Sequence, residues 1–212
     1  MTRTPVFKSM LGVVLAVAVF CVSTCFYAKW RAHRVRKDAE RLILELHSLR
    51  VRQSTLDDVK TIAAHHGDYR RSFLKPEPVA CKDGDKDEVC YFDFSYENSL
   101  LATLRLASTV RFGVSVKIYQ RRVDAIMMDL LCGVEPSLFG IVINEGLQPF
   151  TGRTAEISAF SNSPSVTWVR LTPNAPERDR AYSLSLECFD HIGRCRSQGE
   201  LLPTMANEVA VQ

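Results

Sequence analysis

Residues 111–131 read RFGVSVKIYQRRVDAIMMDLL, and this segment has the pattern of two strands joined by a turn. In its first half, apolar and polar residues alternate, which is the period of a strand with one buried face. The Gln-Arg-Arg run at 120–122 is short enough for a tight turn, and residues 123–131 then return as the antiparallel partner. The segment therefore predicts a β-hairpin whose buried face includes Phe112, Val114, Val116 and Ile118.

Other segments around this hairpin also have the composition of strands. Residues 90–96 alternate and are rich in aromatic side chains. Residues 138–143, 166–171 and 182–188 are short and apolar, with Gly and Pro between them. Together with a helical lead-in, this order predicts an α+β fold, in which an N-terminal transmembrane helix and an amphipathic helix precede a mainly antiparallel β-sheet domain. A domain of this size buries enough surface to need no cofactor for stability.

A helix start precedes the strands. In the Ser-Thr-Leu-Asp-Asp-Val run at 54–59, Ser54 or Thr55 can cap a helix, and an aspartate further on places negative charge at its positive end. Adjacent histidines on a helix point about 100° apart. We therefore interpret His65 and His66, at the C-terminal end, as cap or surface residues rather than metal ligands. The predicted buried face consists of Leu56, Val59, Ile62 and Ala63.

Near the N-terminus, residues 9–28 contain no charged side chain and lie between Lys8 and Lys29. A helix of this length spans about 30 Å, which is the thickness of the hydrocarbon core of a bilayer. Tyr27 and Trp30 stand at the end of the run, where aromatic rings favour the headgroup region. We therefore expect one transmembrane helix, with the lipid bilayer as its partner.

Two other interpretations of this apolar segment are weaker. A cleaved signal peptide has a shorter apolar core, of about 7–15 residues, and a small-residue cleavage site, which Phe26-Tyr27-Ala28 does not offer. A lipoprotein signal would end at Cys25, but Thr24 stands where such signals carry Gly, Ala or Ser. In a retained span, Cys21 and Cys25 are simply small apolar residues in lipid.

The segment 29–53 is basic and amphipathic. Its apolar residues recur with a helical period, and the resulting stripe either packs on the globular body or pairs with a copy of itself. Packing on the body is favoured, because the stripe covers barely two heptads. Basic side chains beside a membrane helix attract anionic lipid headgroups. The candidate lipid-contacting residues are Lys29, Arg31, Arg34, Arg36 and Lys37.

These patterns divide the chain into five parts. They are a short N-terminal tail (1–8), the transmembrane helix (9–28), the basic juxtamembrane amphipathic helix (29–53), the α+β globular domain (54–203) and a flexible C-terminal tail (204–212).

The charge is unevenly distributed along the chain. The net charge is +3, from 27 Lys and Arg against 24 Asp and Glu, and residues 1–60 hold 11 of the basic and 5 of the acidic side chains. The globular body is therefore slightly acidic, whereas nucleic-acid binding needs a basic surface on the body. We expect no nucleic-acid partner. By the positive-inside rule alone, the basic neck places residues 29–212 in the cytoplasm.

The cysteines indicate the opposite side of the membrane. Cys81 and Cys90 bracket a polar loop with an Asp-Gly turn signal, and Cys188 and Cys195 bracket a loop that contains Gly193. Each pair can reach the Cα separation of about 4.4–6.8 Å that a disulfide needs. Two local disulfides indicate an oxidising compartment. We therefore expect a single-pass membrane protein whose soluble domain is periplasmic or extracellular rather than cytoplasmic.

Other chemistry finds less support in the sequence. The spacing Cys188-x2-His191-x3-Cys195 could supply three zinc ligands, with a cysteine of the first pair as the fourth, but no paired CxxC accompanies it. Cys132 ends an apolar stretch and is interpreted as a buried small residue rather than a nucleophile. Walker A, G-x-G-x-x-G, H-E-x-x-H and G-x-S-x-G sequences are absent. We assign no catalytic, cofactor-binding or metal-ligating residues.

Residues 49–63, which open Leu-Arg-Val-Arg-Gln-Ser-Thr-Leu-Asp-Asp-Val, resemble the start of small BamE/SmpA-type envelope lipoproteins, where a capped helix follows a short turn. No Gly precedes the turn here, and His65-His66-Gly67-Asp68 replaces the usual Leu-Gly-x-Pro ending. More broadly, the order of anchor, capped helix, Cys-bracketed loop, strand and late Cys pair is similar to uncharacterised bacterial single-pass membrane-anchored proteins. Neither resemblance implies an activity or supplies site residues.

The sequence thus favours a membrane protein that presents an α+β interaction or scaffold domain in the cell envelope to a protein partner. The alternatives are a membrane-anchored enzyme, hydrolytic or thiol-dependent, and a cytoplasm-facing protein regulated by anionic lipid. Converging Asp, His or Ser side chains in a pocket would favour the enzyme. An exposed apolar patch or an unpaired sheet edge would favour the interaction domain.

Overall fold

The computed structural model describes residues 4–66, 89–133, 138–146, 152–160, 165–193, 195 and 197–205. Its helices are α1 (Thr4–Ser48), α2 (Leu56–His66), α3 (Ser99–Thr103), α4 (Arg178–Ala181) and α5 (Gln198–Leu201). Its strands are β1 (Cys90–Glu97), β2 (Val110–Tyr119), β3 (Arg122–Cys132), β4 (Phe139–Glu145), β5 (Ala155–Phe160) and β6 (Ser165–Leu171). Short 3-10 turns lie at Glu187–Phe189 and Pro203–Met205. The predicted α+β class is confirmed.

The strands form one sheet in the order β1-β2-β3-β4-β6-β5. All neighbouring strands are antiparallel except β4 and β6, which are parallel. The prediction of a mainly antiparallel sheet is therefore confirmed, with one parallel pair that the strand patterns did not indicate.

The predicted hairpin forms β2 and β3. Tyr119 pairs with Arg122, and the two residues between them, Gln120 and Arg121, have φ angles of 49° and 60°. A two-residue turn with positive φ at both positions matches the right-handed twist of the flanking strands, although Asn and Gly adopt it more easily. The twist of the hairpin therefore prevails over the local preference of the turn residues.

Two segments differ from the strand predictions. The predicted strand at 182–188 is wrong, because these residues run from the end of α4 through an irregular stretch into a 3-10 turn. Tyr182 and Leu186 are buried, so their apolar spacing reflects packing beneath the sheet rather than strand pairing. Conversely, β5 was not predicted. Its inward positions include Ala155, a small residue that gives little alternation of hydrophobicity.

The helix α1 continues without a break for 45 residues, which is about 68 Å. Its N-terminal part is exposed, and only 6% of its most apolar window is buried. Its C-terminal part enters the core, where Ala39, Leu42 and Leu46 are fully buried. The amphipathic stripe thus packs on the globular body, and one helix passes through two environments.

The helices lie on one face of the sheet. The inward side chains of β2 and β3 pack with the C-terminal part of α1 and with α2 in a single cluster. The predicted inward residues of β2 are all buried, and the cluster also contains Leu56, Val59 and Ile62 of α2, as the helix pattern predicted. Burial of these side chains is the main source of the stability of the domain.

The start of α2 has the expected capping arrangement. The Thr55 hydroxyl accepts a hydrogen bond from the Asp58 backbone amide at 3.4 Å, while the Asp58 carboxylate accepts one from the Thr55 amide at 2.7 Å. The backbone and hydroxyl hydrogen bonds from Thr55 lower the pKa of Asp58. These reciprocal bonds fix the N-terminus of α2.

The C-terminal histidines of α2 behave differently from each other. His65 is exposed, as expected, with its Nδ1 atom 3.5 Å from the Glu45 carboxylate. His66 is buried, so the expectation of a cap or surface role is wrong for this residue. Its Nδ1 atom lies 2.9 Å from the Tyr96 hydroxyl and its Nε2 atom 3.3 Å from the Glu45 carboxylate. His66 therefore joins α1, α2 and β1.

Candidate functional site

Of the two predicted disulfides, the second is present. Cys188 and Cys195 are bonded to each other, with their Cα atoms 5.7 Å apart. Cys90, at the start of β1, is also disulfide-bonded, whereas Cys81 lies outside the described residues. The Gly193 turn that suggested the second pair has a φ of 126°, a conformation that glycine adopts without strain.

A third sulfur lies beside the Cys188–Cys195 disulfide. The Sγ atoms of Cys132, Cys188 and Cys195 all lie within 4.8 Å of one another. Cys132 is a free, fully buried thiol at the end of β3. Burial, with a smaller effect of Glu200, raises the pKa of Cys132 to about 12. Because the thiolate is the reactive form, this thiol is inert at neutral pH, which agrees with its interpretation as a buried small residue.

This grouping of sulfurs was not predicted from the sequence. Cys132 is far along the chain from the other two cysteines, and only the tertiary fold brings the end of β3 next to their loop. His191, the third ligand of the alternative zinc site, is exposed and does not belong to the cluster. Two of the three sulfurs are bonded to each other, so the structure leaves a single thiol here.

The junction between α1 and the domain is the second candidate site. Ala28 and Ala32 are buried on α1, and together with Leu101 of α3 they form a small apolar cluster of their own. Partly buried side chains that complete this cluster are Leu100, Leu106 and Ala107. Alanines on α1 allow α3 to approach the helix closely. The body of the domain therefore touches α1 at the residue where the apolar segment ends.

Ion pairs reinforce the junction one to two turns further along α1. The Asp190 carboxylate lies 2.6 Å from His33 Nδ1 and accepts a hydrogen bond from Arg36 Nη1 at 3.1 Å. Burial alone would raise the pKa of Asp190, but the hydrogen bonds from His33 and Arg36 outweigh it and hold the pKa below its ordinary value. Asp190 belongs to the loop that the Cys188–Cys195 disulfide closes, so the disulfide loop is attached directly to α1.

The five candidate lipid-contacting residues fall into two groups. Arg36 Nε donates to Glu40 at 2.7 Å, and Lys37 Nζ donates to the same carboxylate group at 2.8 Å. Burial disfavours the ionised Glu40, but these two donors prevail and lower its pKa. Arg36 and Lys37 are therefore paired within the protein.

The other three basic residues lie closer to the apolar segment. Lys29 and Arg31 are exposed. The Arg34 guanidinium lies over the Trp30 ring at 4.3 Å from its centroid, a cation–π contact. Lys29, Arg31 and Arg34 are thus the members of the predicted set that stand at the end of the apolar segment.

The opposite end of the docked part of α1 is held by a buried charged network. Arg178 Nε donates to Glu145 at 2.8 Å, and the Tyr182 hydroxyl donates to the same carboxylate at 2.7 Å. The Arg178 guanidinium also donates to the carbonyls of Leu46, His47 and Leu49 at 2.7–3.3 Å. The last carbonyls of a helix have no partner within the helix, and a cation there is favourable. Arg178 thus caps α1 and ties it to β4.

No local sequence pattern predicts this network. Arg178 and Glu145 are 1% and 0% exposed, and nothing in their local sequence marks them as buried. Burial and the nearby Glu145 raise the pKa of Tyr182 well above its ordinary value, so its hydroxyl remains a hydrogen-bond donor.

Two further features bear on the enzyme alternative. A cavity between α1 and α3, lined by both helices and the end of β1, has a volume of about 10 Å³. This is room for about one water molecule and not for a substrate. On the other face of the sheet, burial raises the pKa of Asp129, while Arg111 lowers it and Asp93 raises it. Asp129 lies opposite Gly113 in the neighbouring strand, near Arg111 and Asp93, and among the described residues no hydrogen bond joins it to a histidine or a serine.

A scan of protein-family models, a search of curated proteins and a search of solved structures each return no match. The resemblances drawn from residues 49–63 and from the order of elements therefore remain predictions.

Proposed function

We propose that this chain is a single-pass membrane protein that presents an α+β interaction domain directly at the bilayer surface. The observation that carries the proposal is the continuity of α1. Its apolar N-terminal part is exposed, while its C-terminal part is a core element of the domain. Exposure of an apolar helix of this length to water is unfavourable, and the hydrocarbon core of a bilayer removes that exposure.

The same continuity makes the anchor rigid. A flexible linker would let the domain move freely above the membrane, whereas α1 passes from the apolar segment into the core without one. The Arg178 network at the far end and the Asp190 ion pairs near the membrane fix the domain on the helix. A domain held in one orientation suits a scaffold that offers the same surface to a protein partner.

We place the domain on the external side, in the periplasm or the extracellular space. The support is the Cys188–Cys195 disulfide, since such bonds persist in oxidising compartments. The basic residues after the apolar segment argue for the cytoplasm, which keeps the lipid-regulated cytoplasmic protein as the alternative. An enzyme finds less support, because a thiol nucleophile needs a lowered pKa and that of Cys132 is raised to about 12.

The membrane anchor is tested by placing charge in the apolar segment. We expect the full chain to stay in the membrane fraction after alkaline carbonate washing, and the double variant L15R/V19R to be released. Each arginine at the centre of a span costs about 2.5–3.5 kcal/mol. The matched control is L44R, because Leu44 lies on an exposed face of the docked part of the same helix. Release of L44R, or retention of L15R/V19R, would contradict the anchor.

The side of the membrane is tested separately by thiol labelling in intact cells. We expect a membrane-impermeant maleimide to label Cys188 and Cys195 only after reduction, as read by peptide mass spectrometry. Labelling by permeant reagents alone, without prior reduction, would place the domain in the cytoplasm.

A further inference from the structure

The depth of α3 relative to the bilayer follows from its contact with α1. Ala28 is the last residue of the uncharged segment, and Ala32 lies about 6 Å further along the helix axis. The headgroup region beyond the hydrocarbon core is about 5–7 Å thick on each side. Because Ala28 and Ala32 both pack with Leu101, α3 lies at the depth of the lipid headgroups.

The chain that follows α3 presents an apolar side chain at this level. Residues 104 and 105 form a turn in which Arg105 has a φ of 56°, and the Leu106 amide donates to the Leu101 carbonyl at 3.0 Å. Leu104, at the outside of this turn, is 37% exposed. Leu106 itself points into the cluster with Ala28 and Ala32.

The disulfide loop adds a second apolar side chain next to the first. The Gly193 amide donates to the Leu106 carbonyl at 3.1 Å, and the Ser108 amide donates to the Gly193 carbonyl at 3.1 Å. Ile192 precedes Gly193 and is 56% exposed. Single exposed apolar residues are ordinary on a protein surface. Leu104 and Ile192, however, lie on two neighbouring segments that are hydrogen-bonded to each other, at the point where α1 enters the proposed membrane.

The charges around these side chains are mostly positive. Arg31, Arg34 and Arg105 are exposed. The acidic side chains here are Asp190, which is already paired with His33 and Arg36, and Glu97, which lines the same small cavity as Arg31. Basic residues at this position attract the negative surface of a bilayer that contains anionic lipid.

We infer that Leu104, Arg105 and Ile192 form a membrane-contacting rim that sits in the headgroup region, with Arg31 and Arg34 binding anionic headgroups beside it. This inference rests on the proposed membrane anchor, and continuity with the apolar part of α1 is what identifies the bilayer as the occupant. The rim would fix the tilt of the domain on the membrane, because one edge of the body rests on the lipid.

The rim is tested with the full chain in nanodiscs of phosphatidylcholine, with or without phosphatidylglycerol. A fluorescent amino acid is introduced by codon suppression at position 104, 192, 119 or 20, one position at a time, and quenching is measured with lipids that carry a nitroxide on the headgroup or on the acyl chain. Tyr119 is the matched control, because it is 41% exposed at the far end of the domain. Phe20 reports insertion of the apolar segment.

We expect headgroup nitroxides to quench the probes at 104 and 192 at least twofold more than the probe at 119, and phosphatidylglycerol to increase this quenching. The increase should disappear in the triple variant R31Q/R34Q/R105Q. If acyl-chain nitroxides quench the probe at 20 while those at 104 and 192 resemble 119, the rim is wrong and the anchor stands. If the probe at 20 is not quenched either, the anchor itself is wrong.

Discussion

The docked part of α1 is held at both ends, but by different chemistry. At the far end, Arg178 and Glu145 form an ion pair that is 1% and 0% exposed, with further hydrogen bonds to the last carbonyls of the helix. At the end next to the apolar segment, called the membrane end below, Arg36 and Asp190 form a pair that is 21% and 14% exposed, beside an apolar contact between alanines of α1 and leucines of α3 and the following turn.

This difference shows which end determines the position of the domain on the helix. A buried pair must be complete, because removal of one partner leaves a charge without water or counter-ion. A partly exposed pair is screened by solvent, and its loss is tolerated. The far end therefore fixes the domain, while the pair at the other end stays partly exposed to solvent.

The largest effect is expected at the buried end. We expect E145A to lower the free energy of unfolding by about 3–5 kcal/mol, since Arg178 is then buried without a counter-ion and the Tyr182 hydroxyl loses its acceptor. Chemical denaturation in detergent measures this. The control is D179A. Asp179 is next to Arg178 on α4 and is an exposed partner of His47 on α1, so its loss should change the free energy of unfolding by less than about 1 kcal/mol. Equal effects of the two variants would show that burial of the Arg178–Glu145 pair is not what stabilises this end of α1.

The second-largest effect is expected on the alkylation rate of Cys132, the buried thiol near the membrane end. With a pKa of about 12, Cys132 has far less thiolate at pH 8 than an ordinary cysteine. Alkylation of Cys132 in the folded protein should be more than about a thousandfold slower than alkylation of Cys132 in denaturant, given an ordinary pKa of about 8.5. Peptide-resolved mass spectrometry separates Cys132 from Cys21 and Cys25. Rapid labelling of folded Cys132 would show that this end is more open than the structure indicates.

A smaller effect is expected for the disulfide loop. Cys188 and Cys195 are 7 residues apart, and a cross-link over so short a loop contributes about 2 kcal/mol. The variant C188S/C195S should therefore remain folded and become less stable by roughly that amount. An undiminished stability would mean that the hydrogen bonds of the loop, and not the disulfide, hold Asp190 against α1.

The smallest effect is expected for the exposed pair. We expect D190N to cost about 0.5–1 kcal/mol at neutral pH. Because the folded pKa of Asp190 is lowered, its contribution is complete above the unfolded value of about 3.9 and disappears as the pH falls through the folded pKa. The difference between the wild-type chain and D190N should therefore shrink as the pH falls below about 3.9 and vanish once Asp190 is protonated in the folded chain. A difference that persists unchanged in strong acid would contradict the assigned pairing.

Local patterns predicted the parts of the fold that depend on local order. The β2–β3 hairpin and the capped start of α2 follow from strict alternation and from Thr55 and Asp58, and both form as expected. The segment 182–188 has the apolar spacing of a strand without being one, because burial on an irregular segment gives the same spacing. Periodicity reports which side chains are buried and not what they pack against.

The candidate site could be predicted only in part. The Cys188–Cys195 disulfide could be predicted from the sequence because both cysteines flank one short loop. The pairing of Asp190 with α1, the third sulfur of Cys132 and the Arg178–Glu145 network join residues that are distant in sequence. Charged residues in isolation suggest surface positions, so a buried ion pair between separate elements leaves no local signal.

The proposed function requires α1 to be one rigid helix from the apolar segment into the core. Pulsed electron–electron double resonance tests this rigidity directly. The distance is measured in the full chain in nanodiscs, between spin-labelled amino acids at the exposed positions 20 and 44. The helix predicts a single narrow distribution near about 36 Å along the axis, from 24 residues at 1.5 Å each. A broad distribution, or a second population at shorter distances, would show a hinge near Trp30 and contradict the account.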